Sequence, residues 1–192
     1  MKVLLLGVVG LLGFSLAGAQ NVTKCSLKSQ LKEKIDNLPE KIKQAGLTAD
    51  TFVAKLVCYV ENGSNFSTSA VTELSHDRGS PASGPSRRRR DTLDLLSNGD
   101  EKKNATLYGL FQLPGDPVCN DNNSPNVCGM DCRRLTDDKI DDDIHCVLTL
   151  IAKIVEQGFG AQNIQELTKV FRLMMQPQCK NAHYDVYFHE CH

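Results

Sequence analysis

The chain has 192 residues, with 22 Lys and Arg against 23 Asp and Glu, a formal net charge of −1, eight cysteines and no tryptophan. A balance this close to neutral argues against a nucleic-acid partner or an anionic membrane, and the length suits one domain after a short leader. Residues 1 to 19 form that leader. One lysine, the apolar run V-L-L-L-G-V-V-G-L-L-G-F and an A-G-A ending read as a secretory signal peptide cleaved before Gln20. No other apolar run approaches the roughly 20 residues that a membrane span needs, so no transmembrane segment is expected. The expected location is extracellular, where an even cysteine count means disulfides rather than zinc.

The first helix is predicted over 26–34, where Leu27, Leu31 and Ile35 recur at four-residue spacing before Asn37-Leu38-Pro39 breaks it. A second starts near Thr48, carries Phe52, Leu56 and Tyr59 on one face beside Cys58, and stops at Asn62-Gly63. N-x-S/T sequons at Asn21, Asn62, Asn65 and Asn104 mark candidate glycosylation sites, with the close pair Asn62 and Asn65 not expected to be occupied together. Residues 72–104, which include S-P-A-S-G-P-S-R-R-R-R-D, have the composition of a disordered insertion. Within it Arg87, Arg88, Arg89 and Arg90 resemble a furin-type proprotein convertase site, because stacked arginines in an extended loop enter an acidic protease cleft. The plainer reading of the same run is a solvated basic patch.

Between Cys128 and Cys146 lie five aspartates, Asp137, Asp138, Asp141, Asp142 and Asp143, inside seven residues. Held at 4 Å, each pair would repel by about 4 kcal/mol at an effective dielectric of 20. A hard cation removes that penalty, and Ca2+, which accepts six to eight oxygens including backbone carbonyls, suits the site better than Mg2+. The loop is not an EF-hand, lacking both the turn glycine and the closing glutamate. Without a metal, Asp141 to Asp143 would still favour a helix N-terminus. That helix, the third, carries Ile144, Val147, Leu148, Ile151 and Val155 as one apolar stripe and ends at Gly158. A fourth runs from Asn163, paired with Glu166 as a capping box, through Ile164, Leu167, Val170, Phe171 and Met174 to Pro177. His183, Tyr184, Asp185, Tyr187, His189 and His192 form a polar aromatic tail to which no role is assigned.

The eight cysteines, with Y-G-L-F-Q at 108–112, resemble the C-type lysozyme and alpha-lactalbumin family (glycoside hydrolase family 22) over about Cys25 to Cys191. The matching features are C-x3-C at Cys128 and Cys132, the thirteen residues before Cys146, and the eleven between Cys179 and Cys191. The resemblance implies an α+β fold, a helical domain with a small β-hairpin subdomain across 20–192. It also implies the pairing Cys25 with Cys191, Cys58 with Cys179, Cys119 with Cys132, and Cys128 with Cys146. Sequence alone leaves on the order of a hundred pairings open.

For activity the resemblance implies a loss. Lysozyme is the type case of two-carboxylate glycoside hydrolysis, with one acid held protonated and one ionised carboxylate across the bond. The family's acid falls five residues after the second cysteine, where this chain has Gly63, and its second carboxylate precedes Y-G-L-F-Q, where this chain has Leu107. Glu61 is the nearby substitute, but two helical residues turn a side chain by about 200°. Pro117 and Val118 stand where cleft tryptophans belong. The calcium ligands carry over better, as the carboxylates of Asp137, Asp142 and Asp143 and the carbonyls of Arg134 and Lys139. The expected function is therefore a secreted, calcium-binding, non-catalytic lysozyme-like protein that binds a glycan or a secreted or cell-surface protein. One alternative is a regulatory subunit of a glycosyltransferase, against which Glu61 and Asn62 replace the expected aromatic and histidine contacts. Another is a divergent cell-wall hydrolase or antibacterial protein.

Overall fold

The computed structural model describes residues 22–36, 48–75, 92, 96, 104–121, 125–158 and 164–191. The leader, Asn21, Arg87 to Arg90, Asn163 and His192 lie outside them. Helix α1 spans Lys24–Asp36, two residues longer at each end than the leucine spacing predicts, and Ser26 N–H donates to Thr23 Oγ1 at 3.1 Å at its early start. It buries Leu27, Leu31 and Ile35 against α2, Ala49–Gly63. Helix α2 is the centre of the core, with Phe52, Leu56, Val57, Tyr59 and Val60 all buried. It stops where predicted. Ser64 N–H bonds back to Val60 O, and the Ser64 hydroxyl reaches Leu110 O at 2.7 Å, tying the helix end to the β region.

That region is a three-stranded antiparallel sheet in the order β1 (Val71–Leu74), β2 (Ala105–Tyr108), β3 (Leu113–Pro114). It is the expected hairpin with a two-residue third strand added. The register pairs Val71 with Tyr108 and Leu74 with Ala105, which corrects the predicted boundaries of the insertion: Thr72, Glu73 and Leu74 are sheet residues. Nor is the rest of 72–104 uniformly detached, since Thr92 is buried and Leu96 packs on the core. Pairing with a strand some thirty residues away overrides the polar composition of the local stretch.

The turn between β2 and β3 has one position that only glycine fits. Gly109 has φ +68° and donates its N–H to Ala70 O at 2.7 Å, and a Cβ there would stand 1.6 Å from Leu135 O. Gly109→Ala should therefore cost at least about 3 kcal/mol, combining backbone strain with a clash against backbone that cannot yield. Urea unfolding measures it; a loss below about 1 kcal/mol would mean that the 3-10 turn Cys132–Thr136 can move aside.

Helix α3 spans Ile140–Gln157 and α4 spans Gln165–Met174. The predicted stripe on α3 is buried apart from half-buried Val155, and Gly158 closes the helix. The capping box predicted for α4 involves Asn163, which lies outside the described residues; within the helix Glu166 pairs with Lys169 at 2.9 Å. The C-terminal tail has a structural role that its composition concealed. In α5, Tyr184–Tyr187, the Tyr187 ring lies 4.0 Å beneath Lys24 Nζ of α1, and Tyr184 and Tyr187 both meet Phe188 edge to face. Four disulfides, Cys25–Cys191, Cys58–Cys179, Cys119–Cys132 and Cys128–Cys146, match the implied pairing and use all eight cysteines. No described helix is long and apolar enough to cross a membrane.

Candidate functional site

Two places carry the predicted chemistry, a cleft beside the sheet and the aspartate loop at the start of α3. The cleft is a cavity of about 230 Å³ between the end of α2, the sheet and the end of α4. Gly63 and Leu107, some forty residues apart in sequence, line the same cavity. They are the positions at which the family resemblance puts the catalytic pair. No carboxylate is among the described lining residues. Glu61 is turned away, as the helical rotation predicts, and accepts a hydrogen bond from the Tyr187 hydroxyl of α5. Burial, and then that bond, push the Tyr187 pKa up, so the phenol keeps its proton.

Gln112 forms the cleft floor, and sequence reading gave it no role. Its backbone sits at φ +44° and its side chain is buried. Nε2 donates to Gly109 O at 2.9 Å and Ala70 O at 3.2 Å, while Oε1 accepts from the Thr72 hydroxyl at 2.6 Å. The Tyr59 hydroxyl donates to Gln112 O at 3.2 Å, and burial raises its pKa so that it too stays neutral. No sequence signal pointed here, because the partners come from three separate segments. Of the sequons, Asn62, Asn65 and Asn104 are all exposed, and Asn62 also donates its amide to Cys58 O at 2.8 Å.

In the aspartate loop the five carboxylates have different surroundings. Asp137 Oδ1 accepts from Lys139 N–H at 2.7 Å, and Asp138 Oδ1 accepts from the buried Thr68 hydroxyl at 3.1 Å. Asp141 is exposed and faces Lys34 at 3.4 Å. Asp142 is held on one side only: Oδ2 takes Arg134 Nη2 at 2.7 Å and Nε at 3.1 Å, while Oδ1 is buried without a partner. Asp143 is 1 % exposed, and neither of its oxygens has a partner. Burial, then the charges of Asp142 and Asp137, push its pKa up to about 8, against a smaller opposing pull from Arg134. A buried carboxylate with no donor is costly, and this one sits in the first turn of α3 without gaining enough from the helix end to stay ionised. Arg134, predicted only through its carbonyl, contributes its guanidinium as well. Among the described residues no three acidic, histidine or cysteine side chains already converge as a metal cage. What the loop does present is two aspartates with buried oxygens and no donor, and the hard oxygen character of these donors fits calcium.

Comparison with known proteins agrees with this geometry. The model of the C-type lysozyme/alpha-lactalbumin family matches residues 92–168. Alpha-lactalbumin of Bos taurus is 36% identical over 67 residues, 33% of this chain and 44% of that protein. Lysozyme C of Equus asinus is 33% identical over 101 residues, 52% of this chain and 58% of that protein. The chain thus spans less than half the length of the bovine relative, whereas alpha-lactalbumin of Sus scrofa matches at 28% over 75% of both chains. A lysozyme structure from Litopenaeus vannamei superposes with a TM-score of 0.52 at 21% identity, covering 90% of this chain and 98% of that one, which is a likeness of fold. The four bridges and the sheet give a lysozyme-like fold, and over residues 92–168 the chain is similar to the C-type lysozyme/alpha-lactalbumin family.

Proposed function

We propose that the mature chain is an exported, calcium-stabilised lysozyme-fold protein that acts by binding, and not by turnover, on a glycan or a secreted or cell-surface protein. The observation that carries this reading is the cleft itself. Gly63 and Leu107 line one cavity, and no carboxylate is among its described lining residues, whereas glycoside hydrolysis needs a proton donor and an ionised carboxylate on either side of the bond. Glu61 is bonded to Tyr187, and the Tyr59 hydroxyl and the Gln112 amide are bonded internally.

In this reading Asp137, Asp142 and Asp143, with the carbonyls of Arg134 and Lys139, hold calcium, which supplies positive charge where buried carboxylate oxygens have none. Asp143 contributes most, having no other partner. Arg134 already neutralises part of Asp142, which limits mutual repulsion in the metal-free protein. A role as a glycosyltransferase subunit, the reading that the alpha-lactalbumin relatives would favour, gains no support from the residues after Cys58. Glu61 and Asn62, which bond to Tyr187 and Cys58 respectively, stand where the resemblance puts aromatic and histidine contacts. We also infer that a proprotein convertase cuts after Arg90.

Bacterial cell-wall suspensions should not clear above the blank with the wild-type protein, and Glu61→Gln should change nothing. Turnover that Glu61→Gln abolishes would overturn the non-catalytic reading. Gly63→Glu combined with Leu107→Asp is not expected to restore activity, because even the Cβ at 63 would lie 3.3 Å from Gln112 Cγ and disturb the cleft floor.

A further inference from the structure

The aspartate loop suits calcium, yet the chain already brings a cation of its own to it. Three basic side chains near the loop are committed in different directions. Arg133 closes on Asp131, outside the proposed ligand set, with Nη2 at 2.6 Å and Nε at 3.1 Å from its oxygens, and Lys34 faces Asp141 at 3.4 Å. Of the three, Arg134 is the one that meets a carboxylate of that set. Its Nη2 and Nε approach Asp142 Oδ2 at 2.7 and 3.1 Å, so two N–H groups converge on one oxygen.

The other oxygen of Asp142 is buried without a partner, as are both oxygens of Asp143. The Asp142 side chain is 17 % exposed and that of Arg134 58 %, so the guanidinium reaches Asp142 from the solvent side. Both residues line the groove between the loop and the start of α1. A guanidinium cannot give up its proton to the carboxylate, so its charge stays in place at any pH the folded protein meets. It repels a second cation at Asp142 and stabilises the loop when that cation is away. Both effects act in one direction. A contact worth more to the protein without calcium than with it lowers calcium affinity by the same factor. The Arg134 carbonyl, which the resemblance counts among the ligands, does not depend on where the side chain lies.

We propose that the Arg134 guanidinium is a built-in counter-cation that competes with calcium for Asp142, holding the loop together before the metal binds and weakening its binding. This rests on the calcium reading of the aspartate loop and deepens it: one residue carries both a ligand atom and the competitor that sets the affinity.

Calcium titrations of the full mature chain against a chromophoric chelator test it, together with thermal melts in EDTA. Arg134→Gln keeps the backbone carbonyl and removes the charge, so it should bind calcium about fivefold more tightly, equivalent to about 1 kcal/mol, and melt lower in EDTA. The gap in affinity should narrow as salt rises, because the pair is partly exposed. Arg134→Lys keeps the charge without the two converging N–H groups and should fall between wild type and Arg134→Gln. Arg133→Gln removes the same charge one residue away, where it serves Asp131, and its affinity should stay within about twofold of wild type. Equal or weaker calcium binding by Arg134→Gln, or by Arg134→Lys where glutamine impairs folding, would overturn the proposal and make Arg134 a positioning group for Asp142. An equal gain in Arg133→Gln would overturn it too, as an effect of net charge alone. Absence of calcium binding in wild type and every variant would instead sink the calcium reading, so the two failures are distinguishable.

Discussion

EDTA should lower the melting temperature of the mature protein by roughly 5 to 10 °C relative to a sample with free calcium at about 100 Kd, the equivalent of about 2.7 kcal/mol in a domain of this size. The physical source is Asp143. With no donor on either oxygen and its pKa pushed up to about 8, the folded metal-free protein holds a proton there that the unfolded chain, at about 3.9, has already released. The native state therefore binds more protons than the unfolded state between those two values, and stability without metal falls as pH rises from about 4 through 8. In EDTA the protein should melt higher at pH 6 than at pH 8.5. Calcium competes for the same carboxylate, so its stabilisation should grow over the same interval and offset that fall. Asp143→Asn separates the effects: it removes the charge, should raise the EDTA melting temperature at pH 8.5, and should abolish most of the calcium shift. Asp142→Ala should reduce the shift and shrink the pH dependence without removing it, because burial still raises the Asp143 pKa once the Asp142 charge is gone. An unchanged midpoint on adding calcium to the wild type, or equal shifts in wild type and Asp143→Asn, would leave the aspartates as a metal-free helix start.

What could be read from the residues and what could not divides by sequence distance. Cysteine spacing predicted the four bridges through family resemblance, and the leucine spacing of α1 and the stripe of α3 predicted the buried faces, because a helix repeats within a few residues. Gly63 and Leu107 were placed by counting from nearby motifs, and the fold brings them together. Misses came where a partner is remote. Thr72 to Leu74 read as loop until β2 pairs with them, and the Gln112 floor draws on Thr72, Ala70 and Gly109. In the aspartate loop, charge density suggested a cation, but which carboxylate lacks a partner depended on Arg134 and Thr68, whose reach no spacing encodes.

Protein secreted from cells with active convertases should run as one species without reductant and as two with it. The expected cut follows Arg90 in S-R-R-R-R-D, so the first fragment, 20–90, holds Cys25 and Cys58 alone among the cysteines. Their partners are Cys191 and Cys179, both in the second fragment, and the other two bridges lie wholly within it. Two covalent links therefore join the halves. Non-covalent contacts join them as well: β1 pairs with β2 across the cut, Lys24 meets Glu190 at 3.0 Å, and Tyr187 donates to Glu61. Because every aspartate of the 137–143 loop belongs to the second fragment, while Thr68, which binds Asp138, belongs to the first, the nicked protein should keep its calcium response only while the halves stay docked. With two bridges and the β1–β2 pairing holding the halves together, the melting temperatures of nicked and intact protein should agree within a few degrees. Replacing Arg87 and Arg90 by Ala should leave one band under reduction. A single reduced band in the wild type would make the arginines a basic surface patch, and fragments that part without reductant would contradict the Cys25–Cys191 and Cys58–Cys179 bridges on which the argument depends.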